Sequence, residues 1–383
     1  MNSHFIHFSP PLIDDEEIQE VIQCLKSGWI TTGPKVSEFE QNVSSYVGAS
    51  NAVATFAGTS ALFLTLKALG IGDNDEVILP TFTFASTAHV VVHCGAKPVL
   101  VDIEPDTFVM NNDEVQSKIN SQTRAIIPVH YGGNPVDMDP VFKMAKKHNL
   151  FVIEDAAHAI GSEYKGTKIG SLMSHGTCFS FYATKNIATA EGGMLLTNDS
   201  ELARTVKKLT MYGISDAREI WTNRYTKRGN WFYDIEIIGY KANMTDLSAA
   251  LGIQQLKKID HFNAIRTKYA NLYKKELVRT GCGFMEIHPE NKCCWHLFPL
   301  LLPKNINRDQ FIDTLKSRGI GTSVLYRPLH LHTAYQKLLG CKRNDYPVSE
   351  SVYNRIVNLP ISPAANENDI NYIIASISDV LKT

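Results

Sequence analysis

From residue 51 the chain alternates short, uninterrupted apolar runs with stretches of helical periodicity, a pattern that few architectures can accept. The runs fall at residues 52–56, 76–79, 97–103, 124–130, 150–154 and 177–182. A continuous apolar strand has to be covered on both faces, so the pattern predicts an α/β fold: a mostly parallel sheet with helices on either side. That large unit is expected over residues 51–260. Residues 1–50 read as an N-terminal helical segment, with one amphipathic helix over 14–26 and a second after a Gly- and Pro-containing break at 28–34. Residues 261–383 read as a small α+β domain, with strand-like pieces at 295–302 and 321–326 and helices at 308–318, 349–354 and 367–381.

In parallel sheets ligands bind beyond the carboxyl ends of the strands, so the residues just after each run carry the functional information. After the first run come Gly58, Thr59 and Ser60, which open a helix. Glycine allows close backbone approach, and a helix N-terminus presents unpaired N–H groups, so this is a candidate phosphate site. The plain alternative is a helix cap by Thr59 or Ser60. Phe84 follows the second run and suits a stacking face, or simply core. Asp155 ends a buried strand, where a carboxylate needs a cationic or hydrogen-bonding partner; the alternative is a structural cap. His158 stands three residues on, either beside the same ligand or as a satisfied core histidine.

The last run delivers Ser180 and Lys185, ahead of a polar turn and a new strand-like run at 194–197. A lysine there is either solvated or held in a desolvated pocket, where burial lowers its pKa and frees the amine to attack carbonyls. A phosphate nest, an aromatic face, a carboxylate and an apolar-flanked lysine at successive strand ends match the demands of pyridoxal 5'-phosphate.

Other function classes are disfavoured. With 38 Lys and Arg against 39 Asp and Glu the net charge is −1, without the basic excess of a nucleic-acid binder. Seven scattered cysteines without a Cys-x-x-Cys pair argue against a zinc site or a disulfide framework, so no metal is expected and a reducing, cytoplasmic setting is. No signal peptide is read in the first residues, and no apolar run approaches the roughly 20 residues that span a bilayer, so no membrane insertion is expected. A dinucleotide dehydrogenase would need a Gly-x-Gly-x-x-Gly turn after a strand, which is missing.

The motifs together resemble the DegT-type sugar aminotransferases, a fold-type-I pyridoxal-phosphate family, over nearly the whole chain. They are Ser27 to Pro34, Gly58-Thr59-Ser60-Ala61-Leu62, Ala125 to Gly133, Glu154-Asp155-Ala156-Ala157-His158, Phe179-Ser180-Phe181 with Lys185, Glu191-Gly192-Gly193 and Gly239-Tyr240-Lys241. Within the family, the 28–34 segment, His158 and Trp295-His296-Leu297 are most similar to the branch that makes UDP-4-amino-4-deoxy-L-arabinose. The resemblance implies that Lys185 is the Schiff-base lysine and proton shuttle, that Asp155 pairs with the ring nitrogen, and that His158 lies near the ring. It also implies that Phe84 stacks and that Gly58, Thr59, Ser60 and Ser180 hold the phosphate. It implies a homodimer with shared sites, in which Lys241 and Asn243 reach the partner's phosphate. Here the chain departs from the family pattern, with Lys241 where asparagine is usual and Asn243 where arginine is usual.

The expected reaction moves the amino group of L-glutamate, leaving 2-oxoglutarate, to a keto group of a nucleotide-linked sugar, with carbon 4 preferred by resemblance. Arg224, Arg228 and Arg327 are candidates for the sugar diphosphate or the glutamate carboxylate, Trp29 for packing on sugar or base, and His330 for a segment that approaches the site in relatives. Two rivals stand beside this reading: a sugar dehydratase or lyase on the same scaffold, and a non-catalytic cofactor-binding regulator. The family's dehydratases have histidine in place of the Schiff-base lysine, so Lys185 argues against the first.

Overall fold

The structure, a computed structural model, describes residues 5–214 and 232–381. Its strands in chain order are β1 (Asn51–Thr55), β2 (Glu76–Pro80), β3 (Lys97–Val101), β4 (Thr123–Ile126), β5 (Phe151–Asp155), the hairpin β6 (Glu163–Tyr164) and β7 (Thr167–Lys168), β8 (Gly176–Ser180) and β9 (Gly193–Thr197). Seven of these form one sheet in the order β1-β9-β8-β5-β4-β2-β3. The apolar runs are strands because they are covered: every residue of β2 and β9 is buried, as the continuous pattern requires. The mostly parallel α/β architecture expected from the sequence is the one observed.

One strand runs the other way. β9 is antiparallel to both β1 and β8, which sets Thr55 opposite Gly193 and Gly193 opposite Ser180. The end of β1, the start of β9 and the end of β8 therefore meet at one edge. Gly193 is required there: a Cβ on it would lie 2.3 Å from the carbonyl carbon of Ala57 and from the Gly58 nitrogen. β5 pairs in parallel with β8, Asp155 opposite Cys178, and brings its carboxylate to the same edge.

The C-terminal part holds an antiparallel sheet of β10 (Gly283–Phe284), β11 (Phe298–Leu301) and β12 (Ile356–Leu359). Helices Arg308–Ser317, Pro347–Arg355 and Glu367–Val380 accompany it, and Tyr273 and Leu277 of helix Ile259–Leu277 enter its core. Residues 321–326, expected as a strand, are irregular and meet the sheet at Asn358, which bridges to Ser323 and whose side chain donates to Leu325 O. That irregular path carries Leu325 and Tyr326 to the edge of the large sheet. At the N-terminus, helix Asp15–Ser27 packs on helix Asp246–Lys257. Asp246 accepts from the backbone N–H groups of Gly33, Val36 and Lys35 at 2.8, 3.0 and 3.1 Å, fixing the 28–34 segment on this helix. Among the described residues no helix is long and apolar enough to cross a membrane.

Candidate active site

Lys185 lies in the loop between β8 and β9, whose backbone is held from several sides. Phe181 N–H donates to Gly192 O at 2.8 Å, and the buried Phe181 ring meets Phe39 edge-on with centroids 5.1 Å apart. Asn186 donates to Asn263 Oδ1 (2.8 Å) and Cys294 O (3.0 Å), and Ser9 donates to Thr184 O (3.0 Å). The lysine side chain enters a cavity of about 470 Å³ lined also by Gly58, Thr59, Phe84, Asp155, His158 and Ser180. Burial pulls its pKa down to about 8, partly opposed by the Asp155 charge, so about a tenth of the amine is uncharged at pH 7 and half of it near pH 8.

Asp155 is 5 % exposed, and burial raises its pKa against two hydrogen bonds that lower it. Oδ2 accepts from the Thr87 hydroxyl at 2.7 Å and Oδ1 from Ala157 N–H at 3.2 Å. Since Thr87 donates its one proton to Asp155, the Thr83 hydroxyl 2.9 Å away must donate to Thr87. The structural-cap alternative therefore accounts for one oxygen only.

At the candidate phosphate site, helix Gly58–Ala68 starts after Ala57 with no side-chain cap, so neither Thr59 nor Ser60 serves as the cap that the sequence allowed. Thr59 is exposed and lines the cavity, while Ser60 is half-buried one residue further on. A Cβ on Gly58 would come within 2.8 Å of Ser180 Cβ, so the glycine lets the helix start close against the end of β8. Phe84 is 58 % exposed into this cavity rather than packed in a core.

His158 is buried and neutral, its pKa driven well down by burial and secondarily by Lys185. It lies 4.2 Å, centroid to centroid, from His296 and nearly parallel to Tyr326 at 6.0 Å. His296, Tyr326, Tyr182 and Glu191 line the cavity as well and were not singled out as site residues. His296 and Tyr326 arrive from distant segments, and only the Trp295-His296-Leu297 motif hinted at the first.

Several expected contacts are not brought to this cavity. His330 is fully buried, with Nδ1 2.9 Å from Thr81 Oγ1 and Nε2 3.1 Å from Glu350 Oε1, so both ring nitrogens are committed and it is not available to substrate. Arg327 is exposed and donates to Leu331 O at 2.8 Å. Trp29 Nε1 donates to Thr32 O at 3.1 Å, and its ring covers Gly33. Lys241 bonds Asn243, which bonds Thr32; with Thr32, Asn243 lines a separate hollow of about 770 Å³. Arg224 and Arg228 lie outside the described residues.

The donor set fits pyridoxal phosphate. The buried Asp155 carboxylate, the uncapped helix start at Gly58 with the Thr59 and Ser180 hydroxyls, the exposed Phe84 ring and a lysine of lowered pKa all line one cavity. Sheet order and site together define a fold-type-I, pyridoxal-phosphate-dependent transferase. Residues 11–378 match the DegT/DnrJ/EryC1/StrS aminotransferase family, and the chain belongs to it. It is 43% identical over 385 residues to the spore coat polysaccharide biosynthesis protein SpsC of Bacillus subtilis, covering 99% of this chain and 98% of that one. It is 36% identical over 399 residues to the UDP-4-amino-4-deoxy-L-arabinose–oxoglutarate aminotransferase of Shewanella sediminis, with 100% and 99% covered. Spr1654 of Streptococcus pneumoniae, in its PMP form, superposes with a TM-score of 0.92 at 33% identity over 98% of this chain and 99% of that one. PseC of Helicobacter pylori, an aminotransferase of pseudoaminic acid biosynthesis, gives 0.90 at 29% identity over 98% and 99%. The chain is thus a pyridoxal-phosphate-dependent sugar aminotransferase.

Proposed function

We propose that the enzyme takes the amino group of L-glutamate, releases 2-oxoglutarate, and passes the group to the C4 ketone of a nucleotide-linked sugar. The product would be an amino sugar for a polysaccharide, lipid or glycoconjugate, in keeping with SpsC as a spore coat polysaccharide biosynthesis protein and with the Shewanella amino-sugar enzyme. The observation that carries the reading is the lysine amine, drawn down to about 8, in one cavity with the buried Asp155.

Lys185 would carry a proton from the donor's α-carbon to the cofactor's exocyclic carbon in the first half-reaction and from that carbon to the sugar carbon in the second, which a group titrating near neutrality can do in both directions. Asp155 would hold a proton on the ring nitrogen, its charge kept in place by Thr87 and Ala157. Gly58, Thr59, Ser60 and Ser180 would seat the phosphate, and Phe84 would cover one face of the ring. Bound there, pyridoxal phosphate supplies an electron sink and carries the amino group between the two substrates.

A homodimer with shared sites belongs to the same proposal. Phe56 (54 % exposed), Tyr212 (49 %) and Ile238 (89 %) are exposed around the Lys241–Asn243 pair, an apolar patch suited to a second copy. Lys241 would then meet the partner's phosphate as a point charge.

The test is spectroscopic. Reconstituted protein should show a visible absorption band that L-glutamate replaces with that of the pyridoxamine form, and Lys185→Ala should show no such band. UDP-linked 4-keto sugars should then restore the original band. A protein that holds cofactor but is untouched by glutamate would favour another donor or a non-catalytic role.

A further inference from the structure

We propose that the Tyr326 hydroxyl, oriented by His158, donates its proton to the phenolic ring oxygen of the bound cofactor. The inference rests on the cofactor placement proposed above, and it assigns to Tyr326 a contact that the sequence did not point to.

The argument starts from which nitrogen of each imidazole carries its proton. Gly132 N–H lies 3.2 Å from His158 Nδ1, and a backbone N–H only donates, so Nδ1 carries the lone pair. His158 is neutral, so its single proton sits on Nε2. That nitrogen is 3.0 Å from Tyr326 Oη, which must therefore accept. The phenol keeps its own proton, since burial and the Asp155 charge both push its pKa up. Among the described residues no second hydrogen-bond partner is recorded for Oη, so the proton is directed to whatever fills the cavity.

The neighbouring His296 is fixed in the opposite sense. Asn186 Nδ2 is committed to Asn263 Oδ1 and Cys294 O, so Asn186 Oδ1 must accept from His296 Nδ1–H at 3.1 Å. Its Nε2 then bears a lone pair. On this wall, with His158 Nε2–H already spent on Tyr326 and His296 offering only a lone pair, the tyrosine hydroxyl is the donor available to a bound acceptor.

The identity of that acceptor follows from the shape of the cofactor. In pyridoxal phosphate the phosphate arm and the phenolic oxygen flank, on opposite sides, the carbon that a lysine attacks. With the phosphate at Gly58, Thr59 and Ser180, and the ring nitrogen at Asp155, the phenolic oxygen falls on the other flank of the Lys185 attachment. His158 and Tyr326 occupy the wall beside Asp155, and the Tyr326 ring is 5.8 Å from Phe84, the proposed stacking face. The tyrosine backbone is anchored from outside the cavity, because Leu325 O accepts from the Tyr131 hydroxyl and from Asn358 Nδ2.

The experiment is a pH titration of the visible band in reconstituted protein, with the charged and titratable groups lining the cavity being Lys185, Asp155, His158, His296, Glu191, Cys178, Tyr182 and Tyr326 itself. Without the tyrosine donor the ring oxygen is more electron-rich and grips the proton on the lysine-linked nitrogen more strongly. Tyr326→Phe, which keeps the ring packing, should therefore move the midpoint up by about one to two pH units, the size of a hydrogen bond to a charged acceptor. Adding His158→Ala to Tyr326→Phe should shift it little further, since His158 acts through the tyrosine. A Tyr326→Phe midpoint matching the parent overturns the contact, and fully additive shifts overturn the orientation by His158. If the parent protein itself forms no visible band, the cofactor placement has failed instead.

Discussion

The Thr87 hydroxyl donates to Asp155 Oδ2 at 2.7 Å while accepting from Thr83 at 2.9 Å, so the one strongly desolvated carboxylate of the site is held by a two-hydroxyl relay. The relay reaches back along the first turn of helix Ala85–His93, and it favours the charged form of an acid that burial pushes toward the neutral one. Replacing Thr87 with valine keeps the shape and removes the donor. Asp155 should then pair less well with a protonated ring nitrogen, and cofactor affinity should fall about tenfold, as expected for loss of a hydrogen bond to a charged group. Equilibrium dialysis of Thr87→Val against the parent measures this; equal affinities would show that the relay does not hold the acid.

Lys185 gives a pH dependence with a definite sign. Only the uncharged amine attacks the cofactor's aldehyde, so the rate at which ligand-free protein develops the visible band should rise with pH and reach half its plateau near about 8. An unperturbed lysine would place that midpoint at about 10.4. The same shift acts on stability. The folded pKa lies below the unfolded one, so between them the unfolded chain binds more protons and stability rises with pH. Lys185→Met should therefore melt higher than the parent at pH 7 without cofactor, with the advantage shrinking as pH climbs through 8 toward 10.

Gly193 tests the edge where three strands meet. A methyl group there would lie 2.3 Å from backbone atoms, which cannot swing aside as a side chain can. Gly193→Ala should lose about 1–3 kcal/mol of stability by urea unfolding, the usual cost of overpacking. It should also weaken phosphate binding, because what moves is the turn leading into Gly58.

Shared sites would reveal themselves by complementation. Lys185→Ala and Lys241→Ala should each be inactive alone. Mixed after partial unfolding and refolding, they should recover roughly a quarter of parent activity, since half of randomly paired dimers are mixed and each mixed dimer has one intact site. No recovery would mean that Lys241 serves its own chain, and a Lys241→Ala protein active by itself would mean that it serves neither site.

How much of this was readable in advance differs between the two ends of the chain. Asp155, Ser180 and Lys185 were legible because a parallel sheet converts chain order into position: whatever follows a buried run arrives at the ligand edge. Thr59 and Ser60 were ambiguous because cap and phosphate site share one composition, and only the fold puts Ala57 in the cap position. Tyr326 was illegible, and His296 was visible only within the Trp295-His296-Leu297 motif, for the opposite reason. Each is placed by a contact more than a hundred residues away, Tyr131 to Leu325 and Asn186 to His296, which local periodicity does not report. His330 misled because a polar residue near the site can equally be a pin, here between Thr81 and Glu350. Strand β12 was missed because its apolar run follows helix Pro347–Arg355 without any turn signal.

The reversal of β9 gives Lys185 its working range. Because β9 enters the sheet where β8 leaves it, the loop over residues 181–192 starts and finishes side by side, with Ser180 paired to Gly193. Its backbone on both sides of the lysine is moored, at Thr184 by Ser9 and at Asn186 through its side chain to Asn263 and Cys294. The protein thus presents a rigid post carrying a four-carbon boom. In the proton transfers proposed above, the amine would move between cofactor and substrate by side-chain rotation, on a backbone anchored at either side of it.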